Sequence, residues 1–129
     1  MSDSPFKFFT FSEFDCRSES GSGAKYMDKN FIQLIDFARS KCDFPWHISS
    51  GYRSPQYNQK LIDKGLKASK NSAHLEGKAC DIVCTESHKR FKIIQALLSV
   101  GITRIGVSSD FIHCDISTNN KPSEVLWTY

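Results

Sequence analysis

Apolar residues recur every three to four positions in two stretches of the chain, which is the spacing of a helix with one buried face. Residues that cap helices, aspartate or serine at the start and glycine at the end, mark where helices begin and stop. Together these signals predict three helices, at residues 28–41, 54–64 and 87–101. The predicted buried face of the third helix consists of Phe91, Ile94, Leu97 and Leu98.

Shorter runs that are rich in β-branched and aromatic residues predict strands. These runs lie at residues 46–50, 78–85, 103–107, 111–117 and 125–127, the last of them as an edge strand. Only Ser108, Ser109 and Asp110 separate the third run from the fourth, so we expect these two strands to form a hairpin. The mixture of helices and closely spaced strands predicts an α+β fold, with a small antiparallel sheet flanked by helices.

The first 23 residues are rich in serine and glycine, yet they contain five phenylalanines. A disordered segment seldom carries so many aromatic residues, so we expect residues 1–23 to form an ordered, irregular wrap on the core. Residues 18–23, where serine and glycine alternate, are predicted to be a mobile loop. A second polar loop is expected at residues 67–72. We expect residues 1–129 to form a single domain.

Composition excludes several classes of protein. The net charge is only +3 and the basic residues are scattered, which does not favour a nucleic-acid partner. No apolar run approaches membrane-spanning length, and the first residues lack the pattern of a signal peptide. We therefore expect a monomer that is made in the cytoplasm and does not insert into a membrane. Five cysteines, an odd number, are typical of reduced thiols rather than of a disulfide framework.

Two polar motifs suggest a metal site. Alternate residues of a strand share a face, so His113 and Asp115 point one way, and Asp81 lies on the polar face of another strand. With His74 in the loop before that strand, they offer two imidazoles and a carboxylate, the ligands of a catalytic zinc site that keeps one position open for water. The alternative is a solvated loop histidine beside a surface aspartate. The apolar faces of the same strands carry Cys80, Cys84 and Cys114, which we interpret as buried thiols that act as small hydrophobic residues.

Two further polar residues can complete such a site. Asp110 precedes His113 by three residues, at the mouth of the hairpin, where a carboxylate can act as general base beside a metal-bound water. The alternative is a turn residue that accepts hydrogen bonds from nearby amides. Arg53 follows the first strand, where a guanidinium can reach the cleft and bind a carbonyl or carboxylate through two hydrogen bonds. An ordinary surface arginine is the alternative.

Three motifs in this order closely resemble the zinc D-Ala-D-Ala carboxypeptidase family. They are Ser49-Ser-Gly-Tyr-Arg53-Ser-Pro, Ser72-x-His74-x-x-Gly77-x-Ala79-x-Asp81 and Asp110-x-x-His113-x-Asp115. The family includes the vancomycin-resistance D,D-dipeptidases and the L-alanyl-D-glutamate endopeptidases of phage endolysins, and it shares its fold with the hedgehog signalling domain. The resemblance covers roughly residues 11–127.

The resemblance implies a zinc ion at the centre of the sheet, with His74, Asp81 and His113 as its ligands. Asp110 matches the general base of the family. This position is glutamate in the dipeptidase branch and aspartate in some endolysins, which favours an endolysin-like enzyme.

Three further residues match positions of known role in the family. Arg53 matches the arginine that steadies the scissile carbonyl and its oxyanion, and Ser72 matches a serine that lines the substrate site. Asp115 matches a carboxylate that orients a ligand or meets the amine of the substrate. The implied function is hydrolysis of peptidoglycan stem peptides, as a D,D-carboxypeptidase or an L-Ala-D-Glu endopeptidase.

The chain shows neither a wall-binding domain nor a signal peptide, which suits a phage-type enzyme that reaches the cell wall through a holin or within a virion. Loops at residues 64–72 and 119–124 are expected to decide which bond is cut. Two other functions stay open. One is a non-catalytic recognition module of the same fold with a structural zinc. The other is a cysteine hydrolase that pairs a thiol with His47, His74 or His88.

Overall fold

The computed structural model describes residues 4–66 and 68–129. Residues 1–3 of the predicted wrap and Lys67 of the predicted polar loop lie outside these ranges. The α-helices are Ser22–Tyr26 (α1), Lys29–Arg39 (α2), Pro55–Asp63 (α3) and Ser87–Ser99 (α4), and 3-10 helices span Phe11–Phe14 and Ala73–Glu76. The strands are Ile48–Ser50 (β1), Ala79–Val83 (β2), Arg104–Val107 (β3), Phe111–Asp115 (β4) and Val125–Thr128 (β5).

The five strands form one sheet in the order β1-β2-β4-β3-β5. The first four pair antiparallel, and β3 and β4 form the predicted hairpin. The fifth strand pairs parallel to β3, so the sheet is mixed rather than wholly antiparallel. After β4 the chain turns back, so β5 runs opposite to β4. Since β3 also runs opposite to β4, β5 is parallel to β3. The predicted α+β class is confirmed.

One face of the sheet is apolar and packs under α2 and α4. As strand alternation predicted, Cys80 and Cys114 are fully buried on this face, and Cys84 is 5% exposed. The opposite face is then left for the polar residues of β2 and β4. The buried face predicted for the third helix, which is α4 in the structure, is partly wrong, because Phe91 and Leu98 are more than half exposed.

Apolar residues surround most of the circumference of α4, so their spacing alone does not select the stripe that packs on the sheet. The buried residues of this helix are Ile93, Ala96 and Leu97. The neighbouring stripe of α4, with Ile94 and Leu98, lies beside β5. None of the helices in residues 4–66 and 68–129 combines the length and apolar content needed to cross a membrane.

The N-terminal segment wraps on the core as predicted, with Phe6, Phe9 and Phe14 buried. Its predicted loop at residues 18–23 ends earlier than expected, at Gly21. The segment turns into α1, and the carboxylate of Asp15 accepts hydrogen bonds from the amides of Gly21 and Gly23, at 3.0 and 2.7 Å. Gly23 is buried, and a Cβ there would lie 2.1 Å from the Phe11 carbonyl oxygen. This glycine permits a close backbone contact rather than flexibility.

Replacing Gly77 by alanine should destabilise the fold more than replacing Gly65. Both glycines have left-handed φ, +70° and +73°, which costs an alanine about 1–2 kcal/mol. A Cβ on Gly65 meets open space, whereas one on Gly77 would lie 2.1 Å from the Tyr26 carbonyl oxygen. Urea unfolding of the two variants measures the difference. Equal losses of unfolding free energy would contradict this account of Gly77.

Candidate metal centre

His74 is held by the short 3-10 helix between α3 and β2. The hydroxyl of Ser72 caps this helix and accepts a hydrogen bond from the His74 amide, at 3.1 Å. Gly77 ends the helix in the left-handed conformation. The imidazole Nδ1 donates to the carbonyl oxygen of Gly51, 2.6 Å away, and the side chain is buried. These contacts leave Nε2 facing the sheet.

The register of β2 and β4 brings the other two polar residues together. Asp81 lies directly opposite His113 in the antiparallel pair, so both side chains point from the same face. Nδ1 of His113 lies 3.0 Å from Oδ1 of Asp81, and Nε2 of His74 lies 3.3 Å from the same oxygen. The three predicted metal ligands therefore converge, with one ligand atom from each within 4.8 Å of the others.

This arrangement fits a divalent metal ion. Ligands 2.0–2.1 Å from a tetrahedral zinc lie about 3.4 Å from one another, close to the separations seen here. Each imidazole also has its second nitrogen engaged, His74 by the Gly51 carbonyl and His113 by the carboxylate of Asp115, at 2.7 Å. Such outer hydrogen bonds fix the tautomer and the ring orientation of metal-binding histidines.

Asp115 belongs to the support of this centre. It is 2% exposed, and besides His113 it accepts a hydrogen bond from Nε of Arg104, at 2.6 Å, and one from the Ser117 amide, at 3.0 Å. With these partners its carboxylate orients His113.

The charge of each residue in the triad depends on its neighbours. Burial alone would raise the pKa of Asp81, but the two histidines beside it hold that pKa well below its ordinary value. Burial works against charging of His113 as well, yet its hydrogen bonds to Asp115 and Asp81 raise its pKa to about 9. The pKa of His74 is lowered, chiefly by burial. With a pKa of about 9, His113 holds a proton at neutral pH.

Arg53 is buried and not an ordinary surface residue. Its guanidinium lies 3.5 Å from Oδ2 of Asp81 and donates to the side-chain oxygens of Asn58 and Ser50, each at 3.3 Å. Asn58 in turn donates to the carbonyl oxygen of Ser69, which ties the arginine to the loop after α3. The charged group is thus fixed at the side of the centre.

A cavity of about 370 Å³ opens over the triad, a size typical of small-ligand sites. Arg53, Ser72 and Asp115, which the sequence predicts as substrate-site residues, all line it. Part of its lining comes from Leu66 and Ala73 and from four residues of the predicted polar loop, Ala68, Ser69, Asn71 and Ser72. The lining also contains four residues that sequence reasoning missed: Arg104, Lys121, Trp127 and Tyr129.

Strand alternation, together with the observed register of β5, accounts for two of the missed residues. Gly106 lies opposite His113 on one side and opposite Trp127 on the other, in one row across the sheet. The indole of Trp127 lies over this glycine, 5.5 Å from the His113 ring. Only a glycine permits this position, because a Cβ on Gly106 would clash with the indole. Arg104 shares that face of β3. Lys121 lies in an irregular loop and had no such signal.

Asp110 is not brought to the triad. It lies in the turn between β3 and β4, is exposed, and accepts a hydrogen bond from the Ser108 hydroxyl at 3.1 Å. Alternation along the chain into β4 places it with Ile112, on the other side from His113. The expected position beside a metal-bound water is therefore not met in this conformation, and Asp110 has the contacts of a turn residue.

The geometry gives no support to a cysteine nucleophile. His47 and His88 are both exposed, away from the buried thiols. The sulfur atoms of the five cysteines have hydrogen bonds with serine hydroxyls, with backbone carbonyls, with the Ser54 amide or with each other. Among the described residues no thiol is hydrogen-bonded to a histidine.

Comparison with known proteins agrees with this picture. The family model of peptidase M15 matches residues 7–115, a range that contains the whole triad. The structure is similar to the crystal structure of the L-Ala D-Glu endopeptidase ChiX of Serratia marcescens, with a TM-score of 0.60 and 20% sequence identity. The match covers 77% of this chain and 86% of that one, and it shows a shared fold. A search of curated proteins finds no match.

Zinc affinity should rise with pH up to about 9. A metal ion on Nδ1 of His113 displaces the proton which that ring holds below its pKa of about 9. The apparent affinity should therefore increase about tenfold per pH unit between pH 7 and 9, and then level off. Chelator competition at a series of pH values measures it. In the Asp115→Asn variant the zinc affinity should level off at a lower pH, because the carboxylate that raises the pKa of His113 is removed. An affinity that stays constant from pH 7 to 9 would contradict the assignment.

Proposed function

The chain belongs to the peptidase M15 family, and from this we propose that it is a zinc-dependent peptidase that hydrolyses peptide bonds of peptidoglycan stem peptides. The observation that carries the proposal is the convergence of His74, Asp81 and His113 on the floor of one cavity, with Arg53 at its side. The ChiX endopeptidase, which has the same fold, acts on an L-Ala–D-Glu bond. We propose this bond first, and D-Ala–D-Ala second.

The proposed zinc ligands are Nε2 of His74, Oδ1 of Asp81 and Nδ1 of His113. When bound, zinc supplies an activated water and polarises the scissile carbonyl. Asp115 and the Gly51 carbonyl hold the two imidazoles in the orientation this requires.

Arg53 is proposed to stabilise negative charge that develops on the carbonyl oxygen. Its guanidinium is already fixed by Asp81, Asn58 and Ser50, so little reorganisation is needed when the charge appears. One well-placed donor of this kind contributes about 3–4 kcal/mol to transition-state stabilisation. Ser72 is proposed to contact the substrate from the loop side of the cavity, where it caps the helix of His74.

Asp110 is proposed as the general base, with a condition. The two carboxylates that line the cavity, Asp81 and Asp115, are both engaged by histidine and arginine side chains. Asp110 is exposed, and its carboxylate accepts a hydrogen bond from the Ser108 hydroxyl. The condition is that this side chain leaves that contact and turns toward the cavity when the substrate binds. Catalytic contacts often tighten only in the substrate complex.

A non-catalytic zinc module is the second candidate function, and the position of Asp110 outside the cavity favours it. A recognition module needs the metal as a structural element but has no need for a general base. The Asp110 variants below separate the two.

His113→Ala should lose zinc and peptidase activity together, because one of three ligands is removed. His88→Ala is the matched control, since that histidine is exposed at the start of α4. Zinc content by elemental analysis and release of peptide from purified peptidoglycan are measured on both. Unchanged zinc in His113→Ala would remove that residue from the ligand set.

Asp110→Ala should keep one zinc but lose about 100-fold or more in turnover, the usual contribution of a general base. Asp43→Ala, a change at another exposed aspartate, should leave turnover unaltered. If Asp110→Ala cleaves peptidoglycan as well as the unmodified chain, the general base is another group. If the unmodified chain binds zinc and cleaves nothing, the recognition module is favoured.

A further inference from the structure

We propose that Lys121, together with Arg104, binds the free carboxylate of the substrate residue that follows the scissile bond. The inference rests on the proposed peptidase function and adds to it a feature of the substrate. It makes Lys121 a specificity-determining residue outside the three sequence motifs.

The loop between β4 and β5 presents Lys121 in a fixed geometry. Asn120 and Glu124 adopt left-handed backbone conformations, with φ of 55° and 57°, and such a conformation is uncommon for glutamate. Arg104 donates to the Pro122 carbonyl oxygen at 2.6 Å, and the Glu124 amide donates to the Thr103 hydroxyl at 3.3 Å. A loop held in this way has little freedom to move the lysine.

Among residues 4–66 and 68–129 the ammonium group of Lys121 has two hydrogen-bond partners, which leaves one of its three donors for a ligand. The side chain is only 12% exposed, and its nitrogen donates to Glu76 at 3.2 Å and to the Ser117 hydroxyl at 3.1 Å. Ser117 in turn donates to the same oxygen of Glu76, at 2.7 Å. An ammonium has three donors, so two hold it in place and the third is available at the cavity that Lys121 lines.

Arg104 places a second cation on the same side. Its guanidinium lies 5.3 Å from the centre of the Trp127 ring, and it is fixed by Asp115 and by the Pro122 carbonyl. From the loop after α3 the cavity is lined by the apolar and neutral polar side chains of Leu66, Ala68, Ser69 and Asn71. Arg104 and Lys121 form the cationic side of the cavity, and each is held there by a carboxylate, that of Asp115 or of Glu76. Arg53 is a separate cation of the lining, tied to the loop after α3 through Asn58. Two fixed cations that line one cavity favour a substrate with an anionic group at this side.

Peptidoglycan stem peptides carry such a group at a fixed place. In D-Ala–D-Ala the residue after the scissile bond ends in a free carboxylate. In L-Ala–D-Glu the glutamate continues the peptide through its side chain, which leaves its α-carboxylate free. Both candidate bonds thus share an anion on the residue that leaves, and a fixed lysine and arginine are suited to bind it through charge-assisted hydrogen bonds.

The test measures binding with analogues that the enzyme does not cleave. Two dipeptide pairs are used, based on L-Ala–D-Glu and D-Ala–D-Ala, each with the scissile amide replaced by a CH2–NH link. Within a pair the leaving residue carries a free carboxylate or the corresponding carboxamide. Calorimetric titration of the zinc-loaded full chain should give at least tenfold tighter binding of the acid in one pair. No preference for the acid in either pair would overturn the proposal.

Lys121→Met should remove most of that preference while it leaves the dissociation constant of the amide within about twofold. Lys121→Arg retains the charge and should keep a preference, which guards against a fold defect in the methionine variant. Lys60→Met, at an exposed site on α3, is the matched control and should behave as the unmodified chain. An unchanged acid-to-amide ratio in Lys121→Met would overturn the proposal.

Cleavage of the ordinary dipeptides is measured in parallel and separates the two claims. Preference through Lys121 without cleavage means that the proposed peptidase function fails and the carboxylate site stands. Cleavage with an unchanged ratio in Lys121→Met means that the carboxylate site fails and the peptidase function stands.

Discussion

The pairing of β2 with β4 is the constraint on which the candidate site depends. Side chains in a strand alternate between faces, so a register shift of one residue would send Asp81 and His113 to opposite sides of the sheet. The observed register sets them directly opposite each other and places Cys80 opposite Cys114 on the apolar face. The packing of the core and the geometry of the metal centre are therefore fixed by the same pairing, since buried thiols on one face require the polar pair on the other.

Outer contacts then refine this centre. His74 comes from a short helix, and its orientation depends on the Ser72 cap and on the Gly51 carbonyl. Asp115 connects His113 to Arg104, and Arg104 connects the centre to the loop after β4. The triad, its supports and the cationic side of the cavity thus form one hydrogen-bonded network. The same contacts that orient a metal-binding imidazole also position the groups that we propose to meet the substrate.

The sequence predicted the parts of this structure that follow from local spacing. Strand alternation assigned both faces of β2 and β4, and three spaced motifs indicated the family. The partners of β5 could not be predicted in the same way, because its pairing depends on a loop with unusual backbone angles at Asn120 and Glu124. As a result Lys121 and Trp127 were missed.

Local pattern also failed where several packings satisfy it. The helix α4 has apolar residues on two adjoining stripes, and only contact with the sheet selects the stripe of Ile93 and Leu97. The position of Asp110 was expected from a motif three residues before His113, but a turn can direct that side chain to either side of the hairpin. Gly23 was interpreted as flexible, whereas it permits a close contact with Phe11.

The central claim is that this cavity holds one zinc ion and cuts a peptide bond. Mass spectrometry of purified peptidoglycan, digested by the chain carrying one equivalent of zinc, tests it most directly. The account predicts new peptide ends at a single bond, L-Ala–D-Glu or D-Ala–D-Ala, which disappear when the zinc is chelated. Intact stem peptides in the presence of stoichiometric zinc would contradict it.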